Sequence, residues 1–126
     1  MSAPQRLCVD VNILCSQGYE VDVVEEGVRF YVIVYAVQLP EGYQPDVTNV
    51  MMMADYQYPM SALDMFWTAP HVKGQNGDWP MNANVFEEHS GKQWQRWSWH
   101  YPGWNPNTHS LITHLEVCFD RLAKAA

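Results

Sequence analysis

The sequence predicts an α+β fold: an N-terminal helix, a four-stranded antiparallel meander, a long loop and a C-terminal helix. Apolar residues recur at helical spacing near both ends of the chain, and runs rich in β-branched and aromatic residues occupy the part between them. At 126 residues, of which 48% are hydrophobic and 17% charged, the chain can bury a core without metals or disulfides. We therefore expect residues 1–126 to form a single domain.

The first helix is predicted over residues 4–17. Leu7, Val11 and Leu14 recur at the spacing of one helix face, and Gly18 is a suitable residue to end the helix. This pattern is typical of an amphipathic helix.

The meander is predicted from four runs of strand-forming residues. Residues 19–25 and 28–38 are joined by a short turn that contains Gly27, which can adopt a positive φ, and this favours a hairpin. Two further strands are expected over residues 46–54 and 63–68.

A long loop is predicted to follow the meander. Residues 69–91 are polar, contain Gly, Asn and Pro throughout and show no sustained periodicity, which predicts a loop of about twenty residues. Residues 93–101 then alternate, and we interpret them as an extended segment. The alternation places aromatic rings on one side and polar groups on the other: Trp97, Trp99 and Tyr101 against Arg96, Ser98 and His100.

The C-terminal helix is predicted from an apolar stripe at helical spacing. The stripe consists of Leu111, Leu115, Cys118 and Leu122. Asn107 or Thr108 is expected to cap the N-terminus of this helix.

The charge of the chain argues against nucleic-acid binding. The formal net charge is -7, and only seven Lys and Arg residues are spread along the sequence. An acidic surface suits a basic protein partner, and it equally suits solubility alone. No apolar run approaches the roughly 20 residues that span a bilayer, and no cationic region followed by an apolar run is visible at the N-terminus. We therefore expect a cytoplasmic protein that does not associate with membranes.

The three cysteines predict neither disulfides nor a metal site. Cys8, Cys15 and Cys118 form an odd set without a CxxC pair, and we expect all three to be reduced, buried thiols. His109 and His114 are five residues apart, which does not align them on one helix face, and no HExxH motif is present. No metal or cofactor is therefore expected.

Several motifs resemble those of ubiquitin-conjugating (UBC) enzymes. The order of elements is similar, Tyr58-Pro59 resembles the Tyr-Pro before the fourth strand of those enzymes, and Trp104-Asn105-Pro106 resembles their Trp-x-Pro. The likeness runs from about residue 5 to residue 125. More specifically, four segments look like family E of the bacterial ubiquitin-conjugating-like proteins: residues 39–43, 58–67, 97–100 and 113–115.

The resemblance implies a UBC-like fold in which the long loop is the active-site loop. It also implies a role in a bacterial ubiquitin-like conjugation pathway. The partners that it implies are a ubiquitin-like protein, a ubiquitin-activating-type enzyme and a JAB-type metallopeptidase of the same pathway.

The chain departs from the enzymes at the position of the acyl-carrying cysteine. In those enzymes the cysteine lies about eight residues before the Trp of Trp-x-Pro, and counting back from Trp104 reaches Arg96. No cysteine occurs between Cys15 and Cys118, and residues 69–71 stand roughly where the enzymes have His-Pro-Asn. Ordinary thioester chemistry is therefore not expected.

Ser98 and His100 are the candidate catalytic residues, with His114 as a supporting one. Ser98 lies in the segment aligned with the active site, and His100 shares its face because residues two apart in an extended segment point the same way. A serine hydroxyl needs an adjacent base, and histidine titrates in the useful range. The alternatives are that Ser98 is a solvent-facing polar residue and that His100 and His114 form structural hydrogen bonds. The sequence does not place His71 and His89.

Two functions remain open at this point. The protein either carries an activated ubiquitin-like protein as an oxyester on Ser98 and transfers it, or it is a non-catalytic adaptor that binds a ubiquitin-like protein or an activating enzyme. The tryptophans at 94, 97, 99 and 104 fit a binding patch or, as their alternation favours, a structural anchor for this segment.

Overall fold

The computed structural model describes residues 3–100 and 102–125. The elements, in chain order, are α1 (Gln5–Ser16), β1 (Val21–Glu26), β2 (Arg29–Gln38), β3 (Tyr43–Gln44), β4 (Val47–Asp55), β5 (Phe66–Ala69), β6 (Lys73–Gly74), β7 (Val85–His89), β8 (Lys92–Trp97) and α2 (Leu111–Ala125). The α+β class expected from the sequence is therefore confirmed.

The main sheet is larger than the predicted four-stranded meander. Within the described residues it has six strands in the order β1-β2-β4-β5-β8-β7, and all neighbouring strands are antiparallel. The first four strands in this order are those expected for the meander. Strands β3 and β6 pair separately as a small two-stranded sheet.

The prediction of an unbroken loop over residues 69–91 was wrong, because this range contains β6 and β7. Strand β7 forms a hairpin with β8 through Ser90 and Gly91, whose φ angles are 54° and 75°. Two successive positive φ values are typical of the tight turn that matches the twist of a hairpin. The Ser-Gly pair was the sequence signal for this turn, and the three consecutive polar residues Glu87, Glu88 and His89 concealed the strand.

Two other predicted boundaries also differ. The fourth strand was expected over residues 63–68 but begins only at Phe66, because Met65 has a φ of 55° that interrupts the extended backbone. The extended segment of residues 93–101 is in β8 only as far as Trp97, and Tyr101 lies outside the described residues.

The cap of α2 is Ser110, so the prediction of Asn107 or Thr108 was wrong. The Oγ atom of Ser110 accepts hydrogen bonds from the backbone N–H groups of Ile112 and Thr113. The Thr113 hydroxyl in turn accepts a bond from the Ser110 N–H at 2.9 Å, so the two side chains satisfy N–H groups at the helix start reciprocally.

The sheet has two apolar faces of unequal size. Leu7 and Leu14 of α1 and the apolar stripe of α2 pack with one face in the main core, which also contains Phe30, Val32 and Met52. Alternate residues of the same strands point to the opposite face, which we call the outer face. A smaller cluster lies there and consists of Tyr31, Ile33, Met51, Trp67, Ala69 and Trp94. Ser98 lies at the border of the outer face.

Candidate functional site

Ser98 lies immediately after the end of β8, at the border of the outer face. Its N–H donates to the carbonyl of Asn82 at 2.8 Å, which holds the backbone in place. Its Oγ atom accepts a hydrogen bond from Nε of Arg96 at 2.9 Å, and Nη1 of Arg96 pairs with Glu87 at 2.8 Å. The Ser98 hydroxyl is thus one end of a charged hydrogen-bond chain.

Glu87 is the centre of that chain. Its carboxylate accepts bonds from Nε1 of Trp67 at 2.9 Å, from Nε2 of His89 at 3.0 Å and from Arg96. Burial alone would raise the pKa of Glu87, but the hydrogen bonds from His89 and Trp67 and the charge of Arg96 outweigh it, so the pKa is lowered. Glu87 is therefore ionised at neutral pH and fixes the orientation of the Arg96 guanidinium.

His100 contacts an aspartate that the sequence reasoning missed. Its Nδ1 atom lies 2.8 Å from Oδ2 of Asp64, and because a carboxylate only accepts, Nδ1 carries the proton. The imidazole side chain is 68% exposed, so its Nε2 atom faces an open surface. Among the described residues no hydrogen bond joins His100 to Ser98. The predicted pair therefore shares one segment, but its two members form hydrogen bonds to different partners.

Little in the sequence indicates that Asp64 belongs to the candidate site. It lies within residues 58–67, a segment that supported the resemblance, but nothing local marks it as a partner of a histidine that is 36 positions away in the chain. The turn-like backbone before β5 brings it to the end of β8.

His114 lies beneath the site and does not reach its surface. It is only 4% exposed, and its Nε2 atom donates to the carbonyl of Met65 at 2.8 Å. Burial lowers the pKa of His114 more than the Met65 carbonyl and the charge of Asp64 raise it, so the imidazole is neutral at pH 7. His114 contacts the residue next to Asp64, and none of its hydrogen bonds within residues 3–100 and 102–125 goes to Ser98 or His100.

The cysteines differ from the prediction in two of three cases. Cys118 is fully buried, as expected, and burial raises the pKa of its thiol, which makes it a poor nucleophile. Cys8 and Cys15 are exposed, so the prediction of buried thiols was wrong for both. The reason is geometric, because each follows a core leucine (Leu7 or Leu14) by one residue and is rotated about 100° from the buried face.

His71 and His89, which the sequence could not place, lie in two separate aromatic groups. The ring of His71 packs on Phe86, with centroids 4.7 Å apart, and on Trp79 at 6.3 Å. His89 lies on the outer face between Glu87 and Tyr31, whose hydroxyl is 3.4 Å from Nδ1. Neither imidazole hydrogen-bonds to Ser98 in the part of the chain that the structure describes.

The tryptophans of this segment anchor the backbone, which supports their structural interpretation. Trp97 is fully buried in the main core. The Nε1 atom of Trp99 donates to the carbonyl of Met81, and that of Trp104 donates to the carbonyl of Pro59, each at 2.9 Å. These bonds join the segment that carries Ser98 and His100 to two preceding loops.

Two further features concern the described residues as a whole. Within residues 3–100 and 102–125, no three His, Cys, Asp or Glu side chains are placed to hold a metal ion. Over the same residues neither α1 nor α2 is long and apolar enough to cross a membrane.

Comparison with known proteins gives one match. The chain matches a family described as Prokaryotic E2 family E over residues 7–125. A search of curated proteins found no match, and a search of solved structures found none. The match covers nearly the whole chain and includes all the residues of the candidate site, from Asp64 to His114. This chain therefore belongs to Prokaryotic E2 family E, a family of proteins similar to ubiquitin-conjugating enzymes.

Proposed function

We propose that this protein carries an activated ubiquitin-like protein as an oxyester on Ser98 and transfers it to an acceptor. The observation that carries the proposal is the 2.8 Å contact between Asp64 and Nδ1 of His100. A carboxylate at Nδ1 fixes the tautomer in which Nε2 is free to take a proton, and this is how acidic residues orient the base in serine hydrolases. Ser98, two residues away in the chain, is the nucleophile that this base would serve.

In the first step, Oγ of Ser98 attacks the thioester carbonyl carbon of the activated modifier, and its proton passes to Nε2 of His100. The carbon–sulfur bond then breaks, the thiolate of the activating enzyme takes the proton from the imidazolium, and the oxyester remains. The hydrogen bond from Nε of Arg96 to Oγ favours loss of the hydroxyl proton to His100, because it stabilises the deprotonated form of Ser98.

In the second step, an acceptor amine attacks the oxyester carbonyl. The bond to Oγ of Ser98 breaks, His100 accepts the proton of the amine, and it returns a proton to Oγ. The exposed imidazole has to move to within about 3 Å of Oγ, and catalytic hydrogen bonds are often absent until substrate is bound.

The test is incubation with the cognate activating enzyme, ATP and a ubiquitin-like protein, followed by mass spectrometry. The expected adduct resists thiols and is cleaved by hydroxylamine or alkali. Ser98→Ala should abolish it, whereas Ser16→Ala, at the exposed end of α1, should not. Ser98→Cys should convert the adduct into a thiol-sensitive thioester. An unchanged adduct on Ser98→Ala would exclude this assignment.

The adaptor remains the second candidate, and one observation favours it. Oγ of Ser98 already accepts a hydrogen bond from Arg96, and the exposed imidazole of His100 is bonded to Asp64 instead of Ser98. As an adaptor, the protein would bind a ubiquitin-like protein or activating enzyme with an affinity that survives Ser98→Ala and His100→Ala, and no adduct would form. In either case we place the protein in the cytoplasm, in a pathway that also contains a JAB-type metallopeptidase.

A further inference from the structure

A groove of about 900 Å³ lies on the protein surface beside the candidate site. Its walls are residues 41–42, residues 74–81 without 77, and the end of α2 at Ala125. Among the described residues that line it, the charged side chains are Glu41 and Asp78, both acidic. Neither forms an ion pair with a cationic side chain in this part of the chain.

The apolar wall of the groove is exposed to solvent. Met81 is 64% exposed and Trp79 is 38% exposed, which is high for side chains of this size. The Trp79 ring is nevertheless held rigidly, because it packs against the rings of Phe86 at 5.0 Å and His71 at 6.3 Å. A fixed aromatic ring that remains exposed is a common feature of binding surfaces.

The Trp79 ring already has a cation on its surface. Nζ of Lys73 lies 4.7 Å from the ring centroid, within the range of a cation–π interaction. The electronegative ring and the two carboxylates of the groove together form a site that suits ammonium or guanidinium groups. The net charge of -7 of the whole chain also favours binding of a cationic segment.

The groove adjoins the candidate site through the backbone. Met81 lines the groove, and its carbonyl accepts the hydrogen bond from Trp99. The next residue, Asn82, accepts the bond from the N–H of Ser98. A chain segment bound in the groove would therefore lie next to the segment of Ser98 and His100.

We propose that this groove binds an extended, lysine- or arginine-rich segment of a protein partner. Its cationic side chains contact Glu41, Asp78 and the face of Trp79, and its apolar side chains cover Met81. That this partner is the acceptor of the modifier rests on the proposed function, whereas binding of the basic segment does not.

The test measures fluorescence anisotropy of a labelled peptide in which lysines alternate with valines. The full chain is expected to bind it at about 50 mM salt and to lose most of the affinity by about 300 mM. Trp79→Ala and Glu41→Gln/Asp78→Asn should each weaken binding at least about fivefold. Lys73→Gln removes a competing cation and should strengthen it. The control Glu20→Gln/Glu116→Gln removes the same charge at exposed positions that do not line the groove.

The proposal is overturned by equal affinity for a peptide with glutamates in place of lysines, by equal weakening by the control, or by no binding. Dimerisation that Trp79→Ala abolishes would also overturn it, in favour of a second copy of the chain as the occupant. Circular dichroism checks that the variants fold. If Trp79→Ala does not fold, the double variant Glu41→Gln/Asp78→Asn decides, because it changes two exposed loop residues. Because the assay needs no acyl transfer, a failed oxyester experiment leaves its result unaffected.

Discussion

At the residue scale, the candidate site depends on which charged group each polar side chain contacts. Ser98 and His100 are only two positions apart, but they have different partners. His100 pairs with Asp64, and Ser98 accepts a hydrogen bond from Arg96. In the proposed transfer Asp64 would be a positioning residue, since it would act on Ser98 only through His100. Its contribution can therefore be separated from that of the nucleophile.

Asp64→Asn should slow formation of the Ser98 adduct by about tenfold or more, because an amide no longer enforces the Nδ1-protonated tautomer. The rate is measured in a single turnover with preactivated modifier. Asp120→Asn, which changes an exposed aspartate of α2, is the control. Equal rates in wild type and Asp64→Asn would show that the Asp64–His100 pair has no role in the transfer.

Glu87 should make the free energy of unfolding depend on pH in the acidic range. Its pKa is lower in the folded chain than in the unfolded one, so its contribution is complete above the unfolded value of about 4.3 and is lost as the pH falls below it. Urea unfolding between about pH 3 and 7 should show a smaller loss of stability for Glu87→Gln than for wild type across this window. Glu88→Gln, at the exposed neighbouring position, should retain the wild-type slope.

At the element scale, the side chain of Tyr58, which precedes β5, forms hydrogen bonds to both helices. The hydroxyl of Tyr58 donates to the carboxylate of Asp10 in α1 and accepts the N–H of Leu111, the first residue of α2. Arg6 pairs with the same carboxylate, and Asp10 is 2% exposed. Burial and the bond to Asp10 raise the pKa of Tyr58, which therefore stays protonated. This contact is what allows a carboxylate to be buried between the helices.

Tyr58→Phe should lower the free energy of unfolding by about 1–3 kcal/mol, because it leaves the Leu111 N–H without its acceptor and a buried carboxylate with one donor fewer. Thermal and urea unfolding measure the loss. Tyr56→Phe, at a position that is 49% exposed, should change stability by less than about 0.5 kcal/mol. If both variants lose the same amount, the bridge between the helices is not the cause.

At the scale of the whole molecule, Gln95 of β8 holds the connection between β5 and β7 on the sheet through hydrogen bonds. This glutamine is fully buried, and its amide bonds to both the N–H and the carbonyl of Val72, to the carbonyl of Ala83 and to the hydroxyl of Thr68, at 2.7–3.0 Å. These bonds satisfy buried backbone groups of Val72 and Ala83, and so fix both ends of the segment that includes the wall of the groove.

Gln95→Leu should therefore destabilise the protein by about 2–4 kcal/mol, because it leaves several buried polar groups without partners at nearly constant side-chain volume. Hydrogen exchange should show the largest loss of protection at the N–H of Val72. Gln93→Leu, at an exposed position of the same strand, is the control. A loss confined to thermal stability, with unchanged exchange at Val72, would contradict the role of Gln95 in holding this connection.

The features that the sequence alone determined are local in origin. The spacing of Leu7 and Leu14, the stripe of α2, and the runs of β-branched residues predicted both helices and the first four strands of the sheet. The absence of a cysteine between Cys15 and Cys118 and the resemblance to family E were also visible in the order of residues. The helix and strand signals arise within a few turns of helix or one strand, because burial of one face imposes a repeat on neighbouring residues.

Only the tertiary structure decided which distant groups meet. The Asp64–His100 pair and the hydrogen-bond chain from Ser98 through Arg96 to Glu87 depend on how β5, β7 and β8 align. Such contacts leave no periodic trace, since their partners are fixed by strand register and loop path and not by spacing in the chain. The physical reason is that packing on a sheet selects a face and a register, whereas a sequence pattern shows only that a face exists.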